Sequence, residues 1–293
     1  MDWLYFVLAP QVINGLSIGV AVVLMALGLT IIFGLLDVIN MAHGEFYAIG
    51  AYVAVALIAA GLPFWWALLL TPLIMAVIGY ATERGLIQRV FHSGDRHTLT
   101  LLLTFGLSIV LEDLLKLIFG ANPLRVDVPI EGATEMLGLF FPNYRLFVMG
   151  FGAVVIAAVW VVVFRTSIGA MVRAAAFDRH MTASLGVPVN VVYAGTFAFG
   201  VALAGLAGVL LAPIYSVFPT MGTDFVLIAF SVVIIGGMGS IKGAVIAGLA
   251  LTQIQSISSL WISPVWSDPL LFGIMVFVLM WRPQGLFGRL GHG

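Results

Sequence analysis

Residues 12–36 read VINGLSIGVAVVLMALGLTIIFGLL, a run of uncharged residues that is long enough to decide the fold class. A helix needs about 20 apolar residues to cross the roughly 30 Å hydrocarbon core of a bilayer. Of the 293 residues, 62% are hydrophobic and 9% are charged, whereas a soluble domain carries about 25% charged residues. The sequence therefore predicts an all-α, polytopic transmembrane helical bundle that is surrounded by membrane lipid.

Eight further stretches have a length and composition that suit a membrane span. They are residues 39–60, 62–82, 98–117, 146–164, 189–212, 225–241, 244–263 and 265–281. We count nine helices, within a range of eight to ten, in a single transmembrane domain that covers residues 1–293. Glycines at four positions of the 189–212 stretch predict that its neighbours pack against it backbone to backbone. These glycines are Gly195, Gly200, Gly205 and Gly208.

The basic residues predict the orientation, because Lys and Arg in short loops are retained in the cytoplasm. With nine helices and the N-terminus outside, nine of the 12 basic residues lie on the cytoplasmic face. These nine are Arg84, Arg89, Arg96, Arg165, Arg173, Arg179, Lys242, Arg282 and Arg289. Lys116, Arg125 and Arg145 remain outside, so we expect an N-out, C-in topology.

The composition also excludes several classes of function. The formal net charge is −1 and the sequence has no run rich in Lys or Arg, so nucleic acid is not an expected partner. The sequence contains no Cys, which removes disulfides, thiolate metal ligands and Cys nucleophiles together. We expect no metal, no cofactor and no catalytic residues.

Polar residues occur in the first half of the 39–60 stretch, which reads NMAHGEFY at residues 40–47. On a helix, Asn40, His43 and Tyr47 would share one face while Glu45 points elsewhere. Polar side chains are costly in hydrocarbon, by about 2.5–3.5 kcal/mol for a charged one at the centre of a span, so they must face the bundle interior, a wet cavity or the interface. Two interpretations remain open: the residues cap a helix and bond its neighbours, or they line the path of a polar substrate.

A second stretch, IGGMGSIKGA at residues 235–244, is rich in glycine. Gly236, Gly237 and Gly239 predict a helix break, next to a basic residue on the expected cytoplasmic side. The stretch is not the phosphate-binding pattern GxxxxGK[ST], because Gly243 follows Lys242 where Ser or Thr should stand. We predict a tight turn between two packed helices, and the chain has no ATPase motif of its own.

A third segment, residues 166–186, is predicted to form short helices on the cytoplasmic side. An aspartate can cap its second helix, and a glycine before Pro188 can end it. Two apolar residues four positions apart lie beside small residues, and such a surface suits a groove in another protein. The alternative is that the segment is an amphipathic connector that lies on the bilayer. The residues that we expect to take part in this contact are Arg173, Asp178, Met181, Ala183, Leu185 and Gly186.

Several of these stretches, in this order, resemble the LivH-type permease subunits of bacterial ABC importers for branched-chain amino acids. The matching stretches are residues 34–47, 173–186, 212–215, 236–240 and 282–287. The resemblance covers nearly the whole chain. Asp37 departs from the family pattern, which has Asn at this position.

The resemblance implies a multi-pass subunit of the bacterial inner membrane that forms half of a translocation pore for branched-chain or related hydrophobic amino acids. It implies a second homologous permease subunit, two cytoplasmic ATPase subunits that hydrolyse ATP, and a periplasmic substrate-binding protein. Residues 166–186 would couple the permease to an ATPase. Urea or short amides are an alternative cargo in the same family. An ion-coupled secondary transporter, with His43 and Glu45 as a relay, is an alternative from another class.

Overall fold

Helices make up most of the computed structural model, which describes residues 2–90, 95–136 and 138–288. In chain order they are α1 (Asp2–Leu36), α2 (His43–Ala59), α3 (Phe64–Thr82), α4 (Gln88–Val90), α5 (Arg96–Phe119), α6 (Asn143–Arg165), α7 (Ser167–Phe177), α8 (Arg179–Ser184), α9 (Val189–Leu211), α10 (Met221–Gly236), α11 (Ile241–Ser258) and α12 (Ser267–Trp281). A π-helical turn, Glu83–Ile87, joins α3 to α4, and a 3-10 turn, Pro264–Trp266, precedes α12. Strands β1 (Ala133–Met136) and β2 (Leu139–Pro142) pair antiparallel between α5 and α6. The predicted helical class is confirmed.

Within the described residues, four helical stretches are long and apolar enough to cross a membrane. They are Phe6–Leu36, Phe64–Val90, Asn143–Arg165 and Val189–Leu211. Helices α2, α5, α10, α11 and α12 overlap the other five predicted stretches. A helix thus occupies each of the nine positions, while the number of crossings and the N-out, C-in orientation stay predictions. Arg289, which we assigned to the cytoplasmic face, lies outside the described residues.

Helices α1 and α9 form the centre of the bundle. In each of them 83% of the apolar window is buried, against 33% in the α3–α4 stretch and 22% in α6. Glycines bring the two central helices together. A Cβ atom built on Gly200 would lie 2.8 Å from the carbonyl oxygen of Gly28, so the two backbones touch where they cross.

Helix α9 packs against α2 in the same way. A Cβ on Gly50 would lie 2.7 Å from the carbonyl oxygen of Gly205, and a Cβ on Gly208 would lie 2.8 Å from the backbone nitrogen of Ala51. The predicted backbone packing is therefore confirmed for three of the four glycines of α9. It is wrong for Gly195, which is exposed and has no atom within 4 Å of a Cβ position, because this residue lies on the opposite face of the helix.

The glycine-rich stretch forms the predicted turn between α10 and α11. Helix α10 ends at Gly236, and Gly237 and Gly239 follow with φ angles of 100° and 78° that favour glycine. Ser240 then starts α11, because its hydroxyl oxygen accepts a hydrogen bond from the backbone N–H of Gly243 at 3.1 Å. The two helices pack directly against each other.

Candidate functional site

Between α1 and α2 the chain leaves helical geometry for six residues, 37–42. Asp37 has a φ of 51° and is the one non-glycine residue with a positive φ in the described part of the chain; Asp and Asn are the side chains that tolerate this conformation. The side-chain oxygen of Asn40 accepts a hydrogen bond from the N–H of Ala42 at 3.1 Å, and its carbonyl accepts from the N–H of His43 at 3.3 Å. These local bonds replace helical ones. The prediction that Asn40 shares a helical face with His43 and Tyr47 is therefore wrong.

The end of this irregular stretch lies inside the bundle, whereas Asp37 and Ile39 are exposed. The backbone N–H of Met41 donates to the hydroxyl of Thr104 at 3.2 Å, and the ring of His43 donates from Nε2 to the carbonyl of Met25 at 3.1 Å. At 1.5 Å per residue, Met25 lies about 16 Å along α1 from its end at Leu36. That is about half of the roughly 30 Å core of a bilayer. Helix α2 therefore begins near the middle of the bundle rather than at its surface.

The carboxylate of Glu45 lies where α2, α5 and α10 meet. Its Oε1 accepts a hydrogen bond from Ser108, at the middle of the 24-residue α5, at 3.4 Å. A Cβ on Gly222, in the first turn of α10, would lie 2.7 Å from each carboxylate oxygen, so only glycine leaves room for this side chain. Glu45 is itself in the first turn of α2. Two helix N-termini thus converge on the carboxylate, and helix N-termini favour negative charge.

Helix α5 presents a polar stripe to this junction, which our reading of the sequence missed. The stripe consists of Thr100, Thr104, Ser108, Glu112 and Lys116. Residues four apart share one face of a helix, and Thr100 and Thr104 are fully buried. Glu112 accepts hydrogen bonds from Lys116 at 2.6 Å and from Thr223 of α10 at 3.5 Å. The four-residue spacing was visible in the sequence, but counting uncharged residues along the span concealed it.

Tyr47 begins a row of aromatic side chains on the other side of α2. It is fully buried, and its ring centroid lies 4.6 Å from that of Phe225 in α10. Phe225 in turn lies 6.0 Å from Tyr215, in the segment that precedes α10. The row connects the buried start of α2 with the end of the bundle where α9 finishes.

The four residues predicted to line a path share one property. Each has a buried side-chain atom without a hydrogen-bond partner: Nδ2 of Asn40, Nδ1 of His43, Oε2 of Glu45 and the hydroxyl of Tyr47. An unsatisfied buried polar group costs about 1–3 kcal/mol, so four of them within eight residues require an explanation. The bonds of Asn40 and His43 agree with the helix-capping interpretation. The unpaired atoms agree with a polar path that is closed in this conformation, since all four residues are at most 1% exposed. Among the described residues, no cluster of three His, Asp or Glu side chains could hold a metal ion.

Residues 166–186 form two short helices, α7 and α8, as predicted. The carboxylate of Asp178 accepts a hydrogen bond from the N–H of Met181 at 2.9 Å and caps α8, and Gly186 follows with a φ of 85°. Met181 and Leu185 are 64% and 78% exposed, and Ala183 between them is exposed too. This segment therefore presents an exposed apolar face that no described part of the chain covers.

Arg173 connects the same segment to the end of α6. Its guanidinium donates to the carbonyl of Val163 and lies 5.6 Å from the ring centroid of Phe164. These contacts fix the position of α7, so Arg173 has a role within the chain. A contact of Arg173 with a partner stays a prediction.

Residues 11–279 match the family model for the permease component of branched-chain amino acid transport systems. The high-affinity branched-chain amino acid transport system permease protein LivH of Salmonella typhimurium is 32% identical over 98% of this chain and 97% of its own length. The chain belongs to this family. The permease is also 31% identical to BraD of Pseudomonas aeruginosa, over 95% of each protein. It is 27% identical to LivM of Salmonella typhimurium, over 90% of this chain and 67% of that protein.

The resemblance drawn from the sequence motifs is thereby confirmed. The permease is a multi-pass protein of the inner membrane and a transport subunit, and the relatives that it matches are transport permeases rather than enzymes. Its relation to both LivH and LivM indicates a pair of related permease subunits.

Proposed function

We propose that this permease forms half of the translocation pore of an ABC importer for branched-chain amino acids. The observation that carries the proposal is the match to LivH and BraD over nearly the full length of each protein. A LivM-like subunit would supply the other half, since the chain matches that protein as well. Two cytoplasmic ATPases would supply the energy, and a periplasmic binding protein would deliver the substrate.

We further propose that the path passes the junction of α2, α5 and α10. Transporters commonly hold substrate near the bilayer midplane, where interrupted helices leave helix ends free to bind charged groups. Helix α2 begins at this depth, and the carboxylate of Glu45 lies there beside the hydroxyl of Ser108. An amino acid carries an ammonium group, which a carboxylate and hydroxyls can receive. The polar stripe of α5 would continue the path along the height of the bundle.

Residues 166–186 are the proposed contact with an ATPase. The exposed side chains of Met181 and Leu185, with Ala183 between them, form an apolar surface on α8. The Asp178 cap and Gly186 define the two ends of this helix. If the ATPase binds this apolar surface, its displacement can be transmitted to α9, which follows α8 directly in the chain.

The relay of an ion-coupled transporter has less support. His43 donates to the carbonyl of Met25, and the carboxylate of Glu45 accepts from Ser108 instead of from the imidazole. The described structure contains no hydrogen bond between His43 and Glu45 that would pass a proton from one to the other.

The test is reconstitution in proteoliposomes of the permease with a LivM-like subunit, the ATPases and the binding protein. We expect leucine uptake that requires ATP, that isoleucine and valine inhibit, and that disappears when the permease is omitted. Uptake of urea with no uptake of leucine, or leucine uptake driven by an ion gradient without ATP, would contradict the proposal.

A further inference from the structure

A cavity of about 240 Å³ lies between α1, α10, α11 and the start of α12. Its lining includes Asn14 in the first half of α1, Ser259 just after α11, and Ser267 at the start of α12. All three positions lie at the end of the bundle that is predicted to face the periplasm. The cavity extends inward along α1 to Val22, about 12 Å from Asn14 at 1.5 Å per residue.

One wall of the cavity is polar and presents hydrogen-bond acceptors. The hydroxyl of Thr252 donates to the carbonyl of Gly248 at 2.8 Å, and that of Ser256 donates to the carbonyl of Gln11 at 2.7 Å. A hydroxyl that has used its proton in this way can offer only its lone pairs to a ligand. These two hydroxyls therefore suit a group with several N–H donors, such as an ammonium.

Positive charge lies beside the rim of the same cavity. The guanidinium of Arg145, near the start of α6, donates to the side-chain oxygen of Asn14, which lines the cavity. A carboxylate at the rim would be attracted by this charge. The polar groups of the cavity thus match both charges of an amino acid zwitterion.

Other lining residues are apolar and include Ile18, Val22 and Ile228. Phe225 lines the cavity too, and its ring packs on that of Tyr47, whose buried hydroxyl has no hydrogen-bond partner. Phe225 therefore lies between the cavity and the buried start of α2. A ligand could pass from the cavity to the α2–α5–α10 junction when this ring moves.

We propose that the cavity is the first substrate site of the permease, that it takes an amino acid with a branched apolar side chain, and that Phe225 separates it from the α2–α5–α10 junction. The apolar lining receives the side chain, and the hydroxyls and Arg145 receive the two charged groups. This inference rests on the proposed function, and it adds a site at which the permease itself selects the substrate.

Two neighbouring residues of α11 provide a matched test in the reconstituted transporter. Gln255 lines the cavity, whereas Ile254 is 41% exposed on the outside of the helix. We expect Gln255→Trp to fill the cavity and to lower kcat/KM for leucine at least tenfold, and Ile254→Trp to leave it near the wild-type value. Equal uptake by the two variants would overturn the proposal.

A second variant enlarges the cavity and reports selectivity instead of rate. Ile228→Ala removes part of the apolar lining, so the ratio of phenylalanine to leucine uptake should rise about tenfold, the scale at which apolar pockets distinguish side chains. An unchanged ratio would overturn the proposal even if Gln255→Trp fails to assemble. The wild-type transporter separates a failure of the proposed site from a failure of the proposed function. If the wild type takes up leucine but the uptake ratio of Ile228→Ala is unchanged, only the site is contradicted. If the wild type takes up no leucine, the proposed function is contradicted.

Discussion

Substitution of Gly by Ala should have opposite effects on stability at two positions of α9, Gly208 and Gly195. A Cβ on Gly208 would lie 2.8 Å from the backbone nitrogen of Ala51 and closer still to the carbonyl oxygen of Tyr47, both in α2. Ordinary contacts need about 3.5–4.0 Å, so α2 would have to move by about 0.7 Å or more. Overpacking of this kind costs about 1–3 kcal/mol. A Cβ on Gly195 meets no atom within 4 Å, and Ala is favoured over Gly in a helix by about 1 kcal/mol.

Because both variants gain the same helix propensity, their difference isolates the packing cost. We expect Gly208→Ala to be less stable than Gly195→Ala by about 1–3 kcal/mol, and Gly195→Ala to be at least as stable as the wild type. The assay is thermal unfolding of the purified permease pair in one detergent at one protein concentration. Equal midpoints for the two variants would refute the backbone contact between α9 and α2, and with it the placement of Tyr47 and Glu45.

Three further predictions concern the path, the coupling segment and the topology. His43→Leu removes the hydrogen bond to Met25 and should lower leucine uptake without preventing assembly; wild-type uptake and wild-type stimulation of the ATPase would make this residue purely structural. Ala183→Trp should weaken binding of the ATPase, because the larger side chain would overpack the groove at a cost of about 1–3 kcal/mol. If the segment instead lay on the bilayer, the substitution would be tolerated, since Trp is favoured at the membrane interface. Retention of the ATPase and normal uptake by the variant at wild-type abundance would contradict the docking proposal. A C-terminal alkaline phosphatase fusion should be inactive, since the distribution of basic residues predicts that this terminus lies in the cytoplasm, and an active fusion would reverse the predicted topology.

The positions of the helices could be predicted from hydropathy, because the bilayer imposes a length and an apolar composition on every span. The start of α2 could not be predicted in this way. The side chain and the carbonyl of Asn40 accept hydrogen bonds from the following backbone N–H groups, and these bonds replace a helical turn. The packing of α9 shows the same limit of a local pattern. Gly195 and Gly208 are the same residue type in one helix, and only the neighbouring helices decide which of them must remain glycine.

The candidate site was predicted in part for a related reason. His43, Glu45 and Tyr47 could be named from their polarity within an apolar span, since exposure to lipid would be costly. The stripe of α5 was missed, although its threonines and Ser108 recur every four residues, because these residues carry no charge. The cavity between α1, α10 and α11 is formed by residues far apart in the sequence, such as Asn14 and Gln255, so its lining depended on the packing of α1 against α11.

The path through the junction of α2, α5 and α10 can be tested most directly with single cysteines, since the chain contains no Cys of its own. Ser108 faces the junction, while the next residue, Ile109, is 50% exposed on the outside of the bundle. The measurement is leucine uptake after a charged, membrane-impermeant thiol reagent has reacted with the transporter during turnover, with partner subunits that lack cysteine. Ser108→Cys should react and lose uptake, with protection by saturating leucine, and Ile109→Cys should retain uptake. Loss of uptake in Ile109→Cys together with an unreactive Ser108→Cys would contradict the path.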